Sequence, residues 1–246
     1  MREQSAVRVD GSPPQLSSDL PRSQAQPGNP AHSESRADAA LKSSALKSPL
    51  PVAGLVLAAG GGRRLGGQPK ALLRHHGEYL VDRAARVARE GGCDPVICVL
   101  GAGADDVLHL ARADTLGHAI VNPDWSSGLS SSLRAGLAAV PARCGAVLIL
   151  LADQPFITAE AVARVLGAHR AGAQIAAAAY AGRRGHPVLV AARHVADVAA
   201  SATGDGGARD FLRAREEAIT LVDCTGLGRP ADIDRPADLG LLAQEQ

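Results

Sequence analysis

From residue 52 onwards the chain alternates short, continuously apolar segments with amphipathic ones, and this alternation constrains the fold more than any other feature. Residues 52–58 (VAGLVLA) and 146–151 (AVLILL) carry no charge, whereas residues 80–90 (LVDRAARVARE) place apolar side chains at helical spacing and end before two glycines. Uninterrupted apolar strands are typical of parallel sheets that helices cover on both faces. We therefore predict a single α/β domain with a Rossmann-like, three-layer α/β/α architecture and a mostly parallel central sheet.

Residues 1–51 differ in composition from the rest of the chain. They are rich in Ser, Pro, Gln and Ala and contain no aromatic residue. Such a segment cannot bury enough apolar surface to offset the entropy lost when a chain is ordered. We predict a disordered tail over residues 1–51 and one folded domain over residues 52–242.

The overall charge and hydropathy exclude two classes of partner. The chain has 26 Lys and Arg against 25 Asp and Glu, and aromatic residues make up 2% of it. A nucleic-acid binder needs a surplus of positive charge or aromatic stacking platforms, so we predict no nucleic-acid partner. No apolar run approaches the ~20 residues that span a bilayer, and the N-terminus lacks the apolar segment of a secretory signal. We expect a cytoplasmic protein without a membrane partner, whose four cysteines, none in a CxxC pair, are buried thiols.

The segment 57–70 (LAAGGGRRLGGQPK) follows the first predicted strand, at the edge where α/β sheets bind ligands. Its five glycines leave backbone N–H groups accessible to phosphate oxygens, and Arg64 and Lys70 supply positive charge. A Walker A loop would place Lys-Ser/Thr straight after its last glycine, and a GxGxxG fingerprint would need its third glycine one residue before Gly66. The segment, whose residues 60–70 we call the glycine loop, therefore predicts a phosphate-binding loop of another kind.

A second unusual segment, which we call the serine loop, covers residues 122–132 (NPDWSSGLSSS) and leads into a predicted helix. Free N–H groups at a helix start, together with serine hydroxyls, can hold polar atoms of a ligand. The alternative is that a serine only caps the helix. The spacing excludes a serine-hydrolase GxSxG elbow, because Ser132 stands where the last glycine is required.

A third segment places Asp153 directly after the apolar strand 146–151. A carboxylate at the end of a buried strand is costly unless it is paired or bound to a metal. Asp153 is therefore a candidate ligand of Mg²⁺, which favours one or two carboxylates together with substrate phosphates. The alternative is an aspartate that caps the turn before Pro155.

These segments resemble the LAAGxGxRxG…PK signature of nucleotidyltransferases, and the serine loop resembles the NxxWxxG…SSL element of molybdopterin nucleotidyltransferases. The resemblance covers about residues 52–242. It implies that the glycine loop wraps a nucleoside triphosphate, and that Arg64 and Lys70 stabilise the pyrophosphate leaving group, with Asp153 as a third catalytic residue. The implied nucleotide-binding residues are Leu57, Ala58, Ala59, Gly60, Gly62, Arg64, Lys70, Gly128 and Ser132.

Three segments nearer the C-terminus, 184–188 (RGHPV), 204–209 (GDGGAR) and 232–238 (DIDRPAD), resemble elements of the cytidylyltransferase branch of this family. The resemblance implies that Asp234 is the second carboxylate on the metal, beside Asp153, and it leaves Asp232 and Asp238 as caps. The implied substrate-pocket residues are His186, Asp205 and Arg209.

Other interpretations of these C-terminal segments remain open. A lone histidine is more often structural than catalytic, so His186 has a structural alternative. The segment 204–209 fits a plain helix start as well as an anion site. Arg235 and Leu65 stand where the family commonly has Thr and Met, and these departures leave the predicted metal ligands intact.

The resemblance implies a Mg²⁺-dependent transfer of CMP from CTP to the terminal phosphate of a molybdopterin-type cofactor, with release of pyrophosphate. It also implies a molybdoenzyme of the xanthine dehydrogenase type as a partner. The alternatives are a GTP-dependent guanylyltransferase, a sugar-phosphate nucleotidyltransferase and a non-catalytic protein that holds molybdenum cofactor. Two observations disfavour a dehydrogenase. The glycine spacing does not fit a dinucleotide-binding loop, and Gly101-Ala102-Gly103 follows the second strand at the position where a dinucleotide-binding fold has an acidic residue.

Overall fold

The structure of the chain is a computed structural model that describes residues 50–243. The predicted tail over residues 1–51 lies outside the described residues except for Leu50 and Pro51. The bounds given for the tail and for the domain therefore remain predictions. Among the described residues, no helix has the length and apolar character needed to cross a membrane.

The described residues contain nine strands: β1 (Val52–Ala58), β2 (Arg74–His75), β3 (Glu78–Tyr79), β4 (Val96–Leu100), β5 (His118–Val121), β6 (Ala146–Leu151), β7 (Ile175–Tyr180), β8 (Arg183–Ala191) and β9 (Ile219–Asp223). Seven of them form one sheet in the order β5-β4-β1-β6-β8-β7-β9, and β2 pairs with β3 in a separate hairpin. In the seven-stranded sheet, β8 runs antiparallel to both of its neighbours and the other pairs are parallel. The predicted mostly parallel sheet is confirmed.

The helices of the described residues are α1 (Leu80–Glu90), α2 (Ala104–Leu110), α3 (Ala113–Leu116), α4 (Leu129–Ala138), α5 (Ala159–Arg170), α6 (Val195–Ser201), α7 (Arg209–Ala214) and α8 (Leu239–Leu242). Side chains of α1, α2 and α5 pack in one apolar cluster against the sheet. Side chains of α4, α6 and α7 pack in a second cluster that contains the alternate residues of the same strands. The molecule therefore has the three layers that the sequence predicts.

Strand β1 shows why the sequence carries uninterrupted apolar runs. All seven of its residues are buried, between β4 on one side and β6 on the other. Val52 and Val56 belong to the cluster with α1, while Leu55 and Leu57 belong to the cluster with α4. Because successive side chains of a strand point to opposite faces, a strand covered on both faces needs apolar residues at every position. The strand ends where Gly60 begins the glycine loop.

The four cysteines are all free and buried, as the sequence predicts. Burial raises the pKa of Cys93 and of Cys98 to about 12. Their thiols are therefore protonated at neutral pH and behave as small apolar side chains.

Candidate active site

A cavity of about 640 Å³ opens at the carboxyl ends of β1 and β6. This volume lies within the usual range for small-molecule sites. The glycine loop, the serine loop and the segment after β6 line most of it. All the residues predicted to bind nucleotide or metal line this cavity: Leu57, Ala58, Ala59, Gly60, Gly62, Arg64, Lys70, Gly128, Ser132, Asp153 and Asp234.

The centre of the cavity is an ionic cluster of one ammonium and two carboxylates. Lys70 Nζ lies 2.8 Å from Asp153 Oδ2 and also contacts Asp234 Oδ1. Arg64 is more loosely attached, with its guanidinium 3.6 Å from Asp234 Oδ2 and its side chain 68% exposed. The structure thus brings together the four residues that the sequence predicts to act on the triphosphate and its metal.

The ammonium of Lys70 is held in its charged form. Burial alone would lower the pKa of Lys70, but the carboxylates of Asp153 and Asp234 outweigh burial and raise it. Burial raises the pKa of Asp153, and the carboxylates of Asp232 and Asp234 add to this, while Lys70 opposes it. Two carboxylates therefore share the ammonium of Lys70, and Asp234 also lies within reach of the guanidinium of Arg64.

The donor set of this cluster fits a divalent cation. Two aspartate oxygens converge on one position, which a single ammonium contacts. Within residues 50–243, no group of three His, Cys, Asp or Glu side chains is arranged to hold a metal. A pair of carboxylates suits a hard cation that takes one or two carboxylates and completes its coordination shell with substrate oxygens and water.

The glycine loop folds back on itself through its backbone. The N–H groups of Leu65 and Gly67 donate to the carbonyl of Gly62, at 2.7 and 3.0 Å. Gly62 has φ +56°, and a Cβ there would lie 2.0 Å from the carbonyl oxygen of Gln68. The N–H groups of Gly60, Gly61 and Gly62 have no acceptor within the described part of the chain. These three donors are free for phosphate oxygens.

The serine loop is held by buried polar side chains. The amide of Asn122 donates to the hydroxyls of Ser131 and Ser132, at 2.9 and 3.0 Å, and its oxygen accepts from Asp124 N. The hydroxyl of Ser130 accepts from Gly207 N. The hydroxyl of Ser132 still has its own hydrogen to donate, and the residue lines the cavity.

The first two N–H groups of α4 are not free for a ligand, although the sequence predicts free N–H groups at this helix start. Asp205 Oδ1 accepts from Leu129 N at 3.4 Å, and the carbonyl of Gly204 accepts from Ser130 N at 2.9 Å. A loop that is distant in sequence therefore supplies the cap, which sequence spacing alone does not reveal. Asp205 lines the cavity as well, so its carboxylate borders the site while it caps the helix.

The other two predicted pocket residues are placed differently. Arg209 lines the cavity, and its guanidinium makes no ion pair or hydrogen bond with the described residues. His186 is not among the residues that line the cavity. Burial lowers the pKa of His186 to about 4, against the pull of the Asp232 carboxylate, so its ring is neutral at physiological pH.

The aspartates that flank Asp234 have distinct surroundings. Asp238 Oδ2 accepts from Asp234 N and Arg235 N, at 3.0 and 2.8 Å, and so acts as the cap that the sequence predicts. Asp232 lines the cavity and accepts a 2.7 Å hydrogen bond from Gln154 Nε2. Asp232 thus adds a further carboxylate to the cavity, where the sequence suggested only a cap.

Sequence reasoning also gave no role to Trp125, which lines the cavity beside the glycine loop. The signal that could have pointed to it is its rarity. It is the single tryptophan in a chain with 2% aromatic residues, and it lies in a polar loop instead of an apolar run.

A family model described as a MobA-like NTP transferase domain matches residues 54–219. Nicotine blue oxidoreductase of Paenarthrobacter nicotinovorans is 42% identical over 190 residues, which are 74% of this chain and 92% of that protein. A probable molybdenum cofactor guanylyltransferase of Opitutus terrae is 38% identical over 108 residues, which are 44% of this chain and 50% of that protein.

Two solved structures have the same fold. The homologue of Mycobacterium tuberculosis Rv0371c from Mycobacterium sp. strain JC1 is 33% identical, with a TM-score of 0.69 over 80% of this chain and 97% of that one. Rv0371c in complex with manganese is 28% identical, with a TM-score of 0.65 over 78% of this chain and 97% of that one.

Proposed function

The chain belongs to the family of MobA-like NTP transferase domains, and from this premise we propose that it transfers CMP from CTP to the terminal phosphate of a molybdopterin-type cofactor, with release of pyrophosphate. The observation that carries the proposal is the position of Lys70. Its ammonium joins two carboxylates beside a loop in which three backbone donors have no acceptor among residues 50–243. This arrangement holds a polyphosphate and the cation that accompanies it.

The proposal includes a divalent cation, specifically Mg²⁺, held by Asp153 and Asp234. The two carboxylates that converge on Lys70 support this, and so does the manganese complex of the related Rv0371c. When bound, such a cation neutralises phosphate charge and polarises the α-phosphate. Metal-free protein is expected to retain the fold, because Lys70 already pairs with both carboxylates.

The side chains at the site account for the remaining steps. The free N–H groups of Gly60, Gly61 and Gly62 orient the triphosphate, and Lys70 and Arg64 stabilise the charge that develops on the leaving group. An oxygen of the acceptor phosphate attacks the α-phosphorus, and the bond from that phosphorus to the bridging oxygen of pyrophosphate breaks. No side chain needs to take a proton, because the acceptor phosphate is already an anion at neutral pH.

The base and the acceptor are assigned from segments outside this cluster. The similarity of residues 184–188 and 204–209 to the cytidylyltransferase branch supports CTP, and the similarity to guanylyltransferases supports a molybdopterin acceptor. Arg209 lines the cavity without a partner among the described residues, so we propose that its guanidinium binds acceptor phosphate. A cytoplasmic molybdoenzyme of the xanthine dehydrogenase type would receive the product.

The test is a matrix of nucleotides and acceptors with the purified full chain and Mg²⁺. CTP, GTP and UTP are each combined with molybdenum cofactor or a sugar phosphate, and pyrophosphate release is measured. We expect release with CTP and molybdenum cofactor. Asp153→Asn should abolish it, and Asp232→Asn, the same change at a carboxylate that does not contact Lys70, should reduce it far less. Release with GTP alone would make the protein a guanylyltransferase.

A second candidate function is an oxidoreductase, favoured by the 42% identity with nicotine blue oxidoreductase over nearly all of that protein. The experiment supplies nicotine blue and NADPH, a common biological hydride donor, and follows NADPH absorbance together with pyrophosphate release. Oxidation of NADPH that depends on nicotine blue, with no pyrophosphate release from any nucleotide, would replace the transferase proposal. The glycine spacing and the ionic cluster support the transferase instead.

A further inference from the structure

Trp125 lies at the junction of three loops around the cavity. It is the one aromatic residue among the cavity-lining residues of the described chain, and it belongs to the one-turn helix Trp125–Ser127 of the serine loop. Its side chain lies against the backbone of two glycines from different loops. A Cβ at Gly61 would lie 2.8 Å from the ring atom Cζ3, and a Cβ at Gly101 would lie 2.6 Å from the Cβ of Trp125.

The segment after β4 completes this packing. The N–H of Ala102 donates to the carbonyl of Ala59 at 3.2 Å, and a Cβ at Gly103 would lie 2.6 Å from Cγ of Pro69. Residues 101–103 thus contact Ala59, directly before the glycine loop, and Pro69, near the end of that loop. This explains why small residues follow β4, where a dinucleotide fold has an acid: a larger side chain has no space.

Gly61 and Gly101 are glycines for reasons of space. Neither has a positive φ, unlike Gly62, Gly66 and Gly67 of the same region. An L residue could therefore adopt their backbone conformation. The closest obstacle at both positions is the side chain of Trp125, with the Cβ of Ala102 at 3.3 Å from a Cβ at Gly61 and the Cβ of Ala59 at 2.7 Å from a Cβ at Gly101. The tryptophan and the two glycines fit as one unit.

No hydrogen bond of the loop itself fixes Gly61, because its N–H has no acceptor among residues 50–243. We propose that Trp125 is a positioning residue that acts through Gly61 and Gly101 to hold the free N–H groups of residues 60–62 toward the phosphates. This inference rests on the proposed function in taking a triphosphate as the ligand. Trp125 acts on the loop and does not bind the nucleobase.

Two probes separate these roles. The full chain, Trp125→Ala and Trp125→Phe are titrated calorimetrically with CTP and with inorganic tripolyphosphate, each with Mg²⁺. We expect Trp125→Ala to weaken both ligands by a similar factor, about tenfold, and Trp125→Phe to restore most of the affinity. In turnover, the KM for the nucleotide should rise with little change in kcat. A loss confined to CTP would mean that the indole stacks on the base and would overturn the inference, as would no loss at all.

Gly61→Ala tests the same contact from the other side. In the natural protein the new Cβ must displace the indole ring, so triphosphate binding should weaken by a similar factor. In the Trp125→Ala background the ring is absent, and Gly61→Ala should have little further effect. Such non-additivity is the signature of two residues that act as one unit. Equal losses in both backgrounds would contradict the inference.

A third measurement needs no ligand. Hydrogen exchange of the backbone amides of Leu65 and Gly67, which donate to the carbonyl of Gly62, should accelerate in Trp125→Ala. Leu129→Ala is the matched control, because Leu129 also lines the cavity from the serine loop side but lies against Gly207 instead of the glycine loop. If the natural protein bound neither probe, the proposed function would fail, and exchange alone would decide the inference: faster exchange in Trp125→Ala only supports it, and unchanged exchange overturns it.

Discussion

The glycine loop and the serine loop border the same cavity but keep their shapes by opposite means. In the serine loop, Asn122, Ser130 and Ser131 are each less than one tenth exposed, and each has a hydrogen-bond partner. The glycine loop has no internal side-chain hydrogen bond among the described residues, and the contacts of its side chains go to neighbouring elements. A loop can therefore leave its backbone donors free for a ligand when adjoining elements supply its rigidity.

The largest expected effect is on catalysis, at the ionic cluster where Lys70, the last residue of the glycine loop, contacts Asp153. Asp153→Asn removes one of the two carboxylates that contact Lys70, and turnover should fall by about a thousandfold. Stability should not fall, because Asp153 carries a raised pKa and its charge is costly in the fold. Pyrophosphate release and urea denaturation measure the two quantities. A loss of stability that matches the loss of activity would show that this carboxylate is structural.

A substitution in the serine loop should lower the stability of the protein more than its catalytic activity. Asn122→Ala leaves the hydroxyls of Ser131 and Ser132 without their donor in a buried position, and we expect unfolding free energy to fall by about 2–3 kcal/mol. Turnover per folded molecule should change less than about tenfold, because the ionic cluster is untouched. A change in unfolding free energy below the error of chemical denaturation would contradict the claim that buried hydrogen bonds hold the serine loop.

A smaller effect separates two glycines within the glycine loop. Gly62→Ala places a Cβ 2.0 Å from a backbone oxygen, whereas Gly66→Ala, also at positive φ, meets nothing within 4 Å. Gly66→Ala should cost only the strain of a left-handed residue, about 1–2 kcal/mol of unfolding free energy. Gly62→Ala should cost more and also weaken tripolyphosphate binding. Equal effects of the two variants on binding would contradict the assigned shape of the loop.

The smallest effect is expected at the exposed link between the two loops. The guanidinium of Arg63 lies 3.4 Å from the carbonyl oxygen of Ser126. Arg63→Gln should change unfolding free energy by less than about 0.5 kcal/mol, because exposed polar contacts contribute little. Chemical denaturation checks this. A larger change would mean that the glycine loop depends on this link and not only on Trp125 and the ionic cluster.

The fold could be predicted from the sequence because its signals are local. The apolar runs at β1 and β6 and the periodic helix α1 match the predicted ranges. The motifs also led to the family that the comparisons confirm. The antiparallel direction of β8 was not predicted, because strand direction depends on how distant segments pair.

The site was predictable as a set of residues but not as an arrangement. Lys70 contacts Asp153, 83 residues away, and Asp234, 164 residues away, and no local pattern encodes those contacts. The same limit explains the start of α4, where Asp205 and Gly204 supply the cap from a distant loop. The serine hydroxyls face inward because Asn122 is buried beneath them, which a polar segment does not reveal.

The burial of all four cysteines has a practical consequence. A thiol reagent finds no accessible thiolate on the folded chain, so its reaction with the natural protein reports opening of the core. A cysteine introduced at an exposed position such as Ser126 would then react alone and selectively. A fluorophore or spin label attached there could report changes in the mobility and surroundings of the serine loop as ligands enter.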